Sequence, residues 1–140
     1  MKSLLLTLAL ALVAFVPQSF AMDDTMHNKM EAAPVKAVVF YSDTCSSCKI
    51  LGPQMMKAMQ AVNTDKVDVV KFDFSSKDTI AATKTLATEK GVDAVLQSYG
   101  VKTGFVVLLD KNGQEVDKLK VDDNAADIAA KITKAIVNQS

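Results

Sequence analysis

An α/β domain, built on a central mixed sheet of about four strands with helices on both faces, is what this chain predicts. Three observations carry that expectation. Residues 35–41 form a run of strand length that is apolar apart from Lys36, as expected of a strand buried on both faces. Apolar residues then recur at steps of three and four from Cys48 onward, the pattern of a helix crossing over to a second, parallel strand. Towards the C-terminal end, Asp110-Lys111-Asn112-Gly113 places an Asn-Gly turn signal between two further strand-like runs, which predicts an antiparallel hairpin.

Taken in order, the first strand is followed by Cys48, Leu51, Met55, Met59 and Val62 on one helical face, with Pro53 inside the pattern and expected to kink it. Residues 67–74 read as a largely buried second strand, with Val67, Val69, Val70, Phe72 and Phe74 as its apolar positions. Ser75-Ser76-Lys77-Asp78 resembles a capping box that opens a helix running to Lys90, with Gly91 as its stop. Val92, Val95, Leu96 and Tyr99 have helical spacing and predict a further short helix. Residues 105–109 and 114–121 are the strands of the hairpin, and Asn124 caps a last helix whose inner face carries Ile128, Ile132 and Ile136.

The first 21 residues are expected to lie outside this fold. Lys2 gives a positive start, residues 4–16 are apolar, and Ser19-Phe20-Ala21 fits signal-peptidase cleavage. That predicts a signal peptide over 1–21, a flexible leader over 22–34, one domain over 35–140, and a periplasmic or secreted product. Without Lys2 the remaining chain carries one more acid than base, and arginine is absent. No basic patch stands out, so nucleic acid is not an expected partner.

Cys45-Ser46-Ser47-Cys48-Lys49 sits where the first strand hands over to the first helix, and the chain has no other cysteine. A thiol at a helix start faces unpaired N–H groups and the positive end of the helix dipole, which stabilise its reactive thiolate. A second thiol one turn on can resolve a mixed disulfide, close a structural bridge or share a metal ion. A bridge across so short a loop removes little unfolded-state entropy, so stability alone explains the pair poorly. Soft ligands select Cu(I). Cys45 and Cys48, with Met22, Met26, His27, Met30, Met55, Met56 and Met59, therefore form the alternative of a copper-binding protein. Met55 and Met59 also fit the apolar stripe as core filler. His27 is the sole histidine and falls in the leader, which excludes a histidine–cysteine hydrolase.

The element order, with Cys-x-x-Cys at the first strand–helix junction, resembles the thioredoxin family. Cys48-Lys49-Ile50-Leu51-Gly52-Pro53, Tyr99-Gly100-Val101-Lys102 and Lys111-Asn112-Gly113 are similar to segments of that family, and Lys71 falls where its members carry a lysine near the active site. The resemblance covers about residues 35–137, with extra helical residues between Ser75 and Gly100. It implies a thioredoxin-like fold and a thiol–disulfide oxidoreductase. Cys45 would be the nucleophile and Cys48 the resolving thiol. Lys49, Lys71 and Phe105 would be supporting residues. No cofactor beyond the redox-active Cys45–Cys48 disulfide is implied. Partners would be protein disulfides or dithiols and a recycling redox partner, and the protein would be a monomer without stable membrane insertion.

The chain departs from the family pattern at several positions. Thr44 stands in place of a tryptophan, Ser46-Ser47 in place of Gly-Pro, and Val39 in place of a buried aspartate. Phe105 stands in place of a cis-proline and Asp122 in place of a groove glycine. These departures keep open a redox-silent interaction module that retains only the fold. Lys71 is read either as a proton donor near Cys48 or as a strand lysine that reaches water or pairs with Asp73. Phe105 either covers the disulfide, shapes a docking groove or joins the core.

Overall fold

The computed structural model describes residues 34–139; the expected signal peptide and nearly all of the expected leader lie outside them. Strand β1 (Val35–Tyr41) leads into helix α1 (Ser46–Met59), a 3-10 turn at Thr64–Lys66 and strand β2 (Val67–Asp73). Helices α2 (Lys77–Lys90) and α3 (Asp93–Tyr99) follow, then the hairpin β3 (Phe105–Leu109) and β4 (Glu115–Leu119), and finally α4 (Ala125–Val137). The sheet order is β2-β1-β3-β4. β1 runs parallel to β2 and antiparallel to β3, which pairs antiparallel with β4. This is the predicted mixed sheet.

Period-two alternation divides the core between the two faces of the sheet. Val35 and Ala37 join Leu51, Met55, Val106, Leu108, Ile128 and Ile132 under α1 and α4. Val38 and Phe40 point the other way, to Val70, Phe72, Ala87, Val92 and Val95 under α2 and α3. β1 is thus buried on both faces, as its apolar run over 37–41 requires. β2 is different. It forms the sheet's edge, where α1 and α4 pack over the inner strands instead, so Val69 is 47% exposed although the sequence reads as largely buried.

Several element ends depart from expectation. β2 stops at Asp73 and β4 spans only Glu115–Leu119. The box that opens α2 pairs Ser76 with Thr79, one residue later than the sequence pattern suggests. A serine hydroxyl serves a cap from either of two adjacent positions, so local pattern alone does not fix the register. Gly91 ends α2 in the left-handed conformation at φ 65°, as a C-terminal glycine should. Asp110 Oδ1 accepts the N–H groups of Asn112 and Gln114 and fixes the predicted hairpin turn.

Candidate functional site

Cys45 is the N-cap of α1, with extended backbone at φ −80° and ψ 109°. It is joined to Cys48 in a disulfide whose Cα atoms are 5.3 Å apart. The Cys48 N–H donates to Cys45 Sγ at 3.1 Å, so an orphan donor of the helix start already points at the sulfur that the sequence places there. No acidic residue lies in the first turn of α1 to oppose a negative sulfur. Cys48 Sγ lies 3.6 Å from the Phe40 carbonyl oxygen, on the inner side of the pair. The same carbonyl accepts the Gly104 N–H at 2.8 Å.

Gly104 is the residue the sequence reading passed over. It has φ 95°, and a Cβ built there would stand 2.8 Å from Ser47 Cβ and 3.4 Å from Cys45 Sγ. The backbone before β3 therefore passes directly against the disulfide, in a conformation and a space that glycine alone suits. An isolated glycine just before a strand is the available signal for such an approach.

An apolar cavity of about 140 Å³ opens behind the pair, lined by Val39, Tyr41, Cys48, Leu51, Met55 and Gly104 among others. Val39, which replaces a carboxylate in the family pattern, contributes only hydrocarbon to it. Lys71 is not part of its lining: its ammonium lies 3.8 Å from the centre of the Tyr41 ring and 3.6 Å from Asp73 Oδ2, half exposed. The side chain thus makes the Asp73 pairing that the sequence admits as one alternative. Lys49 is exposed on the first turn of α1.

Phe105 stacks on Phe40 with ring centroids 4.6 Å apart and touches Tyr99 at 5.1 Å. It belongs to the aromatic cluster beneath α3, and the ammonium of Lys118 covers its ring and that of Tyr99. It is half-buried and also lines the cavity beside Cys48, so its contacts fit both the core and the groove reading. All peptide bonds among the described residues are trans. Asp122 lies exposed in the turn before α4.

Of the methionines, Met55 is buried and lines the cavity with Cys48, Met59 is half-buried, and Met56 is 72% exposed. Met22, Met26, His27 and Met30 lie outside the described residues. Among the described residues no group of three or more His, Cys, Asp or Glu side chains gathers as a metal site.

The thioredoxin family model matches residues 19–134. Solved structures similar to this one include Trxlp from Edwardsiella tarda, at 19% identity, 71% of this chain, 82% of that one and a TM-score of 0.50. The thioredoxin domain of a thiol-disulfide oxidoreductase from Bacteroides vulgatus is similar at 17% identity, 75% and 81% coverage, and a TM-score of 0.51. StoA from Bacillus subtilis is similar at 14% identity, 71% and 83% coverage, and a TM-score of 0.50. These identities speak for the fold alone. No curated protein matches the chain. With the family model spanning most of its length and a Cys-x-x-Cys pair at disulfide distance on this scaffold, the chain belongs to the thioredoxin family.

Proposed function

We propose that this protein is an exported thiol–disulfide oxidoreductase acting on protein substrates through Cys45 and Cys48. One observation carries the reading: Cys45 Sγ occupies the head of α1 and accepts the Cys48 N–H, where a thiolate is stabilised by the helix terminus. In the reduced protein, the Cys45 thiolate attacks one sulfur of a client disulfide. A mixed disulfide forms and one client thiolate leaves. Cys48, once deprotonated, attacks Cys45 Sγ, which restores the Cys45–Cys48 disulfide and releases the second client thiolate. Two electrons have passed to the client, and a recycling dithiol partner returns them. The reverse direction uses the same two sulfurs, and no cofactor is needed beyond them. Gly104 supports the reading, because a backbone without a side chain can lie directly against the pair and hold it at the end of the sheet. Export rests on the signal-like residues 1–21, and a monomer of near-neutral charge is the expected form in solution.

Reduction of insulin by dithiothreitol tests the activity. Wild type should accelerate it, Cys45→Ser should fall to the uncatalysed rate, and Cys48→Ser should accumulate mixed disulfide. Equal rates for wild type and Cys45→Ser would end the enzyme reading in favour of an interaction module. The reduction potential of the pair sets the direction, each 30 mV or so shifting the equilibrium about tenfold. Copper(I) carriage is the second reading, favoured by Met55 sharing the cavity with Cys48. Titration against a Cu(I) chelator decides it: tight binding that disappears in Cys45→Ser/Cys48→Ser supports a carrier, and binding no tighter than the chelator's removes it.

A further inference from the structure

We infer that Asp73 and Ser75 are positioning residues for Cys45, acting through the backbone of the turn that delivers it to α1. The inference rests on Cys45 being the reactive thiol. Residues 42–44 lead from β1 to the N-cap, with Asp43 and Thr44 exposed. Within the turn, the Cys45 N–H donates to the Ser42 carbonyl at 3.2 Å, the Thr44 N–H donates to Ser42 Oγ at 3.4 Å, and the two hydroxyls of Ser42 and Thr44 lie 3.0 Å apart. One bond leaves the turn for another element: the Asp43 N–H donates to Ser75 Oγ at 3.0 Å, across 32 residues of sequence.

Ser75 is free for this task because Ser76, not Ser75, caps α2. Its single hydroxyl proton goes to Asp73 Oδ1 at 2.5 Å, leaving a lone pair for the Asp43 amide. Asp73 Oδ1 also accepts the Ser75 N–H at 2.9 Å. The carboxylate end is anchored in turn. The Asp73 N–H donates to Thr83 Oγ1 at 2.9 Å, the Thr83 hydroxyl donates back to the Asp73 carbonyl at 3.1 Å, and Thr83 is buried in α2. A fixed charge thereby orients one hydroxyl, and that hydroxyl holds one amide two residues before the sulfur.

The relay matters most when the pair is reduced. The disulfide then no longer restrains Cys45, and its place on the helix N-terminus rests on the turn together with the Cys48 N–H on its sulfur and the Lys49 N–H on its carbonyl. Losing the tie lets Cys45 leave the N-cap geometry, so its thiol pKa rises. The charged side chains of the surrounding elements are Asp43 on the turn, Lys49 on α1, and Lys71 and Asp73 on β2.

The test uses reduced protein in a Cys48→Ser background, with the rate of Cys45 alkylation by iodoacetamide followed against pH. Ser75→Ala should move the titration midpoint upward and slow alkylation at neutral pH about fivefold, the worth of one hydrogen bond, with the high-pH plateau unchanged. Ser75→Thr, which keeps the hydroxyl, should restore the parent midpoint. Asp73→Ala should reproduce Ser75→Ala, and the double variant should be no worse than either single one. An unchanged midpoint in Ser75→Ala, or an equal loss at every pH, overturns the relay. No alkylation of the parent at any pH would instead remove the exchange reading itself.

Discussion

Gly104 is where single-residue geometry bears most directly on the site. Its φ of 95° and the 2.8 Å approach of a would-be Cβ to Ser47 mean that alanine must both strain the backbone and push two loops apart. Gly104→Ala should therefore destabilise the oxidised protein by about 1–3 kcal/mol, read as a lower urea midpoint. An unchanged midpoint would show that the loops yield freely. Sequence alone marked the two cysteines but not this glycine, because its role depends on a contact between segments almost 60 residues apart. Phe105 shows the same limit. A phenylalanine at the head of a strand alternates to one face or the other, and only the register against Phe40 sends it to the α3 side of the sheet. Lys71 follows the simpler of its readings because Asp73, two residues on, lies on the same face of the strand.

Helices α1, α2 and α4 each begin with a side chain that satisfies their own first amides. Cys45 does so for α1, Ser76 for α2 and Asn124 for α4. Asn124 Oδ1 accepts from the N–H groups of Ala126 and Asp127 at 2.8 and 3.0 Å, and the Asn124 N–H donates in return to Asp127 Oδ2 at 3.3 Å. Asn124→Ala should cost about 1 kcal/mol, seen in thermal unfolding, with thiol exchange retained because the start of α4 meets α1 at Gln54, in the turn of the helix beyond the cysteines. The N-cap of α1 is unusual in placing chemistry where other helices place structure. It uses sulfur, which caps more weakly than oxygen but can ionise. The element boundaries were legible to within a few residues from caps and periodicity. The one-residue shift of the α2 box was not, since Ser75 and Ser76 are locally equivalent and only the distant Asp43 amide distinguishes them.

Across the whole molecule, α4 is tied to the turn after β4 by Lys131, whose ammonium reaches both Asp123 oxygens at 2.8 Å and the Lys118 carbonyl at 3.2 Å. Burial pushes the Asp123 carboxyl up, but the Lys131 and Lys120 donors and their charges outweigh it and hold the group below its ordinary 3.8. The hydrogen bond to Asp123 raises Lys131 above its ordinary 10.5, against the opposing effect of burial. A depressed carboxylate stabilises the fold above its unfolded value and loses that contribution as pH falls through its folded one. A raised ammonium stabilises below its unfolded value and loses that contribution as pH climbs through its folded one. The pair therefore acts fully between 3.8 and 10.5. Asp123→Ala should cost about 1 kcal/mol at neutral pH, and the gap from wild type in urea unfolding should close as the solution is acidified below the carboxylate range. A gap independent of pH would assign the loss to packing instead. The amino-acid sequence by itself determined the order of elements, the two-faced core around β1 and the seat of the cysteine pair, because these follow from periodicity, turn chemistry and caps within short windows. Tertiary structure alone decided that Gly104 lies against the disulfide, that Val69 stands on an uncovered edge and that Ser75 serves the cysteine turn. Those outcomes depend on which distant segments meet, and local pattern carries no term for that meeting.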